Sequence, residues 1–217
     1  MAPRARYQRF SCLALVAICL FVACENRPDG RPRARNSPST VAQQLGQRPL
    51  EVPTRSADEP CFLERYAVHL PGVPAEAGLG RGPVHPVFRA VPRILDLFST
   101  DERSSPRTWP SAEVLFVSEP DYHGPVLIRG RQMDGQGELA FGDRPTPAPE
   151  LFLPQGGWNS ARNRKVWDGR RLNLPEGWRV ELATIRIGAN GCYALQLDGT
   201  SFSQVIKFEA VLQPDPL

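Results

Sequence analysis

The 217-residue chain carries three histidines, His69, His85 and His123, each far from the others in sequence. Serine hydrolysis needs a serine, an imidazole and a carboxylate brought together, so the candidates are Ser104 or Ser118, one of these histidines, and Asp121. Asp121 and His123 sit two residues apart beside Gly124-Pro125 and could share a metal ion with His85. The competing reading is a turn aspartate next to an exposed imidazole. Asp134, Asp143, Asp168 and Asp198 have the character of calcium-binding loop acids, but Asp134, Asp168 and Asp198 each precede glycine, where turn chemistry accounts for them. Neither Gly-x-Ser-x-Gly nor a phosphate-cradling glycine loop occurs. No catalytic residue is assigned, and no cofactor or metal is implied.

Two further residue groups carry chemistry. Cys61 and Cys192 lie 131 residues apart, and outside the cytoplasm such a pair is expected to be oxidised. Closing that loop is worth about 5 kcal/mol in the chain-entropy model. The alternative is a buried free thiol at one or both sites. Zinc would need a second Cys or His at ligand spacing, which neither cysteine has. Trp158 and Trp167 lie in a polar stretch with Asn159, Arg162, Asn163 and Arg164. An exposed indole beside guanidinium donors can stack on a sugar or anchor a protein partner. Trp158, Trp167, Arg162 and Arg164 are therefore the candidate ligand-binding residues, in a loop over 155–171. The other reading folds both tryptophans back as lids over the domain's edge.

The elements that must position these groups read as short strands. Prolines and glycines are spread through residues 60–217, which argues against a helical bundle. Apolar runs at 113–118, 126–131 and 138–141 read as a hairpin pair with a companion. Residues 178–187 start with Trp178, Val180 and Leu182 on one face and switch to Ile185 and Ile187, as a β-bulge between 182 and 185 would require. Tyr193, Leu195 and Leu197 alternate with Ala194, Gln196 and Asp198, giving a core face and a more polar one. With Phe202, Ile206, Phe208, Ala210 and Leu212 they form a closing antiparallel meander. A short helix from Pro92 to near Ser99 reconciles the apolar spacing there with its prolines. Loops are expected over 71–83, 101–110, 142–150 and 155–171. The fold class is all-β: a single antiparallel β-sandwich with long loops, an incomplete barrel being the competitor.

The first residues say where the protein goes. Arg4, Arg6 and Arg9 precede an apolar run over 10–24 that ends in Ala23-Cys24, the build of an export signal. At about 15 residues the run is short of the roughly 20 that a bilayer-spanning helix needs. Residues 25–59 have no aromatic residue, five prolines and a cluster of Arg27, Arg31, Arg33 and Arg35, so the expected reading is a disordered tether. The net charge of +3 equals the three signal arginines, and their removal leaves a neutral chain with no nucleic-acid signature.

Leu20-Phe21-Val22-Ala23-Cys24 resembles the lipobox of bacterial lipoproteins. The resemblance implies that Cys24 becomes the first mature residue and carries a diacylglyceryl group and an N-acyl chain such as palmitate. Two or more chains hold a protein stably at a membrane. Glu25 implies the outer membrane where a cell has two. Gly191-Cys192-Tyr193-Ala194-Leu195-Gln196-Leu197-Asp198-Gly199, followed by Phe202 to Phe208, resembles the closing strand pair of immunoglobulin-like β-sandwich domains in bacterial surface lipoproteins of unassigned function. Gly124-Pro125-Val126-Leu127-Ile128-Arg129-Gly130-Arg131 adds to it. The expected organisation is a signal peptide over 1–23, a tether over 24–59 and an immunoglobulin-like sandwich over 60–217. The expected role is a lipid-anchored cell-envelope protein, extracytoplasmic and non-catalytic, that is structural or binds an envelope protein or a glycan, not nucleic acid. The alternative is an extracytoplasmic hydrolase on the same sandwich, using His123 and Asp121.

Overall fold

The computed structural model describes residues 38–73, 77–89, 94–97, 109–142, 146–156, 166–167 and 169–212. They form α1 (Pro38–Gly46) and strands β1 (Ala67–Val68), β2 (Gly78–Leu79), β3 (Val84–Val87), β4 (Ile94–Leu97), β5 (Ser111–Ser118), β6 (Val126–Gln132), β7 (Leu139–Phe141), β8 (Glu150–Leu153), β9 (Val166–Trp167), β10 (Arg170–Arg171), β11 (Arg179–Ile187), β12 (Gly191–Gly199) and β13 (Ser203–Leu212). One sheet runs β3-β5-β11-β7 and the other β4-β13-β12-β6-β8. Every pairing is antiparallel except that of β13 with β4, so the expected all-β antiparallel sandwich is what forms.

The alternation of side chains along each strand builds the core. Val114 and Phe116 of β5, Ile185 and Ile187 of β11, and Tyr193, Leu195 and Leu197 of β12 all point between the sheets. Phe208 of β13 packs edge-on against Phe88 with ring centres 5.1 Å apart. The outer face of the β5 sheet is buried too. Leu115, Val117 and Val180 lie under a lid of Leu70, Val73, Trp167, Leu172 and Leu174. Gly72 makes that lid possible: with φ at 74°, it lets residue 72 approach Asn173, whose carbonyl oxygen would lie 1.9 Å from any Cβ.

This third layer corrects one sequence expectation. β11 pairs with β5 in unbroken register from Arg179↔Ser118 to Arg186↔Ser111, so there is no bulge between 182 and 185. The hydrophobic phase switches because both faces of the strand are covered: Val180 and Leu182 meet the lid, Ile185 and Ile187 the core. A second correction concerns 94–97, expected in a helix and found as a strand parallel to β13 through Glu209↔Ile94 to Leu212↔Leu97. The open edge of β13 offers main-chain hydrogen bonds that outweigh helical spacing in so short a segment.

The third correction is the tether. Residues 38–59 are not free; α1 and the segment after it lie on the outer face of the five-stranded sheet, burying Leu45 and Val52. Arg48 Nη1 donates to Gly199 O at 2.8 Å and Phe202 O at 3.0 Å, and Glu51 N donates to Gln196 Oε1 at 2.6 Å. Composition counted too few apolar residues for order, but this arm is held largely by polar bonds to a socket formed by Cys192, Ala194, Gln196 and Asp198. Ala194, Gln196 and Asp198, expected on the more polar face of β12, are buried beneath it with Cys192. The expected disulfide is present: Cys61 and Cys192 are bonded, with Cα atoms 5.6 Å apart, and it ties the arm's far end to β12. The remaining part of the proposed tether and the signal segment lie outside the described residues.

Candidate functional site

Of the hydrolytic candidates, the fold engages His85 and Ser118. His85 is fully buried on β3, its Nε2 2.9 Å from Glu119 Oε1 and its Nδ1 3.3 Å from Leu79 O. Ser118, also fully buried, ends β5; its Oγ donates to Tyr122 O at 3.2 Å and accepts from Arg179 Nη2 at 3.2 Å. Burial lowers the pKa of Arg179, whose guanidinium also donates to Tyr122 O and so braces the 119–122 turn. Asp121 and His123 are exposed beside that turn, and among the described residues no hydrogen bond joins them. Ser104, Asp143 and Asp168 lie outside the described residues.

The other acids serve the arm and a loop. Asp134 accepts Cys192 N at 2.9 Å. Asp198 is fully buried and accepts from Arg129 Nη2 at 2.7 Å, Ser203 Oγ at 2.8 Å and Gln196 Nε2 at 3.0 Å. Among the described residues, no cluster of three or more His, Cys, Asp or Glu could hold a metal ion. Glu113 and Glu181 both line a cavity of about 370 Å³. Strand parity sets them on opposite faces of their sheet, since Val114 and Ile185 face the core; they are not a facing carboxylate pair.

Of the four candidate ligand-binding residues, Trp158, Arg162 and Arg164 lie outside the described residues. Trp167 is 1% exposed, packed in the lid with the Arg89 guanidinium 5.6 Å from its ring centre. It is a core residue and not a surface anchor, because the outer face of β5 and β11 supplies apolar area that only a large side chain can cover.

The concave feature that the fold does create is a groove of about 650 Å³ between the end of β6, the loop after it and residues 146–149. Trp109, Leu139 and Ala140 wall it, and Arg131, Gln136 and Glu138 bring polar groups. Its origin is local. β8 pairs with β6 from Val126↔Leu153 to Arg129↔Glu150 and goes no further, because Pro149 and Pro147 have no N–H to offer. The segment before β8 turns instead to β7, where Ala148 and Phe141 exchange main-chain hydrogen bonds at 2.8 and 2.9 Å. The Gln132 side chain fastens the following loop: its Oε1 accepts from Gly137 N at 2.5 Å and its Nε2 donates to Asn190 O at 3.1 Å. Arg131 Nη2 donates to Val52 O, tying the groove's rim to the arm. The readable signal was the alternation of prolines at 145, 147 and 149 just before a strand, which read only as a loop.

No known protein family matches the chain, and no curated protein matches it. Among solved structures, that of a family 123 glycoside hydrolase from Clostridium perfringens, described for glycolipid glycan hydrolysis, is similar with a TM-score of 0.26 and 10% identity. The match covers 57% of this chain and 23% of that one. A likeness of that size carries no argument.

Proposed function

We propose that the protein is exported, cut before Cys24 and lipidated there, and serves at the cell envelope as a non-catalytic binding module with the β6 groove as its binding surface. The observation that carries this reading is the Cys61–Cys192 disulfide, in a chain whose first residues have the build of an export signal. Binding is favoured over hydrolysis because His85 and Ser118 are spent on holding β3 and the 119–122 turn, and Asp121 and His123 stand exposed with no hydrogen bond between them among the described residues. The groove is concave, mostly apolar, and rimmed by a few polar groups, as ligand sites are. The decisive measurement is mass spectrometry of the native N-terminus from membrane fractions. It should show a chain beginning at acylated Cys24, and Cys24→Ser should release the protein from the membrane. Full-length polypeptide in the cytosol with Cys61 and Cys192 reduced would refute the reading.

A further inference from the structure

We propose that the Cys61–Cys192 bond is a site of thiol exchange, at which a dithiol attacks the Cys61 sulfur and Cys192 leaves as a thiolate held by Arg55. The two sulfurs sit in unlike surroundings. Cys192 is almost fully buried on β12 beneath the arm, and Arg55 Nη1 lies 2.8 Å from its Sγ. Cys61 is only partly buried, and its Sγ lies 3.7 Å from the carbonyl oxygen of Phe208. A guanidinium therefore stabilises negative charge on one sulfur, and a carbonyl oxygen opposes it on the other. Access points the same way, since an incoming thiolate reaches Cys61 and not the covered Cys192.

Arg55 is fixed where this needs it. Its main-chain N donates to Met133 O at 2.8 Å, and its side chain is 7% exposed. Among the described residues its Nε and Nη2 have no hydrogen-bond partner, and the exposed Glu59 carboxylate comes only within 3.7 Å of Nε. A bonded sulfur is a weak acceptor, so a buried guanidinium aimed at one gains its full interaction only when that sulfur becomes a thiolate. Asp134 opposes charge there, but its Oδ2 is engaged by Cys192 N at 2.9 Å, whereas Arg55 touches the sulfur itself. In the reaction, a thiolate of the dithiol bonds to Cys61 Sγ as the Cys61–Cys192 bond breaks, and the electron pair leaves on Cys192 Sγ beside Arg55. The second thiolate of the dithiol then attacks the first, expelling Cys61 as a thiolate. Of the two protons lost by the dithiol, one goes to Cys61 and one to water; the dithiol leaves as a disulfide, and its two electrons stay on the protein's sulfurs. The far end of the arm is thereby unclipped from β12, while Arg48 and Glu51 still hold its near end.

The test treats the folded, oxidised protein with dithiothreitol or with a Cys-x-x-Cys protein dithiol and follows the release of thiols. A parallel sample receives glutathione, is quenched in acid and is mapped by mass spectrometry. Exchange predicts glutathione on Cys61 with Cys192 free. It also predicts that Arg55→Gln slows reduction at least about tenfold while Arg55→Lys keeps most of the rate. A purely structural Arg55 predicts the opposite sign, because a loosened arm uncovers the bond and speeds its reduction. Glutathione on Cys192, or reduction of Arg55→Gln as fast as the parent or faster, would overturn the proposal, as would a bond that neither dithiol reduces in the folded protein. Should Arg55→Gln fail to fold, the glutathione map decides alone. Whichever dithiol reacts faster at equal concentration names the source, and the map supports exchange with either. Failure here leaves acylation of Cys24 and binding in the groove standing, since neither requires the bond to open.

Discussion

Asp198 is the residue on which the arm's attachment is most sharply tested. Its carboxylate is fully buried, 2.7 Å from Arg129 Nη2, 2.8 Å from Ser203 Oγ and 3.0 Å from Gln196 Nε2, with Arg48 Nη1 at 3.7 Å. Asp198→Asn keeps the shape but removes the charge and sets an amide donor among donors. Breaking a buried pair costs about 3–5 kcal/mol, because the partner's charge stays behind. The low end applies here: the Arg129 side chain is 15% exposed and also donates to Gly46 O at 3.3 Å. Arg48, at 35% exposure, adds at most about 1 kcal/mol. The expected loss is about 3 kcal/mol, a large share of the 5–15 kcal/mol that holds a typical domain. Urea unfolding should show a lower midpoint with an unchanged slope. Proteolysis within 38–60 should also accelerate, since Gln196 both contacts Asp198 and holds Pro49 O and Glu51 N. Replacing Arg129 by Met in the same molecule should recover part of the loss. A change below about 0.5 kcal/mol, or strict additivity of the two substitutions, would refute the network.

Burial pushes the Tyr193 hydroxyl up to about 12, and nearby Asp134 assists; the protonated hydroxyl donates to Ala189 O at 2.8 Å. The unfolded chain gives up that proton near pH 10, so the stability it confers is complete below about pH 10 and is lost by about pH 12, a fall of about 3 kcal/mol. Tyr193→Phe should flatten this alkaline slope in urea titrations; an unchanged slope would count against the assignment. Reducing the Cys61–Cys192 bond should lower stability by up to about 5 kcal/mol and expose the arm to protease before the sandwich opens. Coincident unfolding of reduced and oxidised protein would contradict this. Trp167→Ala should cost about 3–5 kcal/mol, and the Trp167→Phe difference spectrum should be that of a shielded indole. Free acrylamide quenching of that component would return Trp167 to the surface.

Much of the strand framework was legible because it depends on local alternation. Tyr193, Leu195 and Leu197 face the core as period two requires, and the strands at 113–118, 126–131 and 138–141 match β5, β6 and β7 with small shifts at their ends, but they are not the expected hairpin pair with a companion: β5 and β7 pair with β11 in one sheet and β6 with β12 and β8 in the other. The phase switch in β11 was visible but misattributed. A bulge and a strand buried on both faces leave the same trace in one sequence, and only the lid over Leu115 and Val117 separates them. The candidate site was less legible. Trp167 beside arginines looks the same whether it faces water or the outer face of a sheet.

Sequence alone determined the strands at 113–118, 126–131 and 138–141, the closing meander, and the pairing chemistry of Cys61 with Cys192, because each rests on residues a few positions apart or on the chemistry of a side chain. Tertiary structure decided what those elements meet. It sent 94–97 to the open edge of β13, laid the arm over β12 so that Gln196 and Asp198 became interior, and ended the pairing of β6 with β8 at Arg129. These outcomes depend on hydrogen bonds and buried charge between segments distant in the chain, energies that no local pattern records.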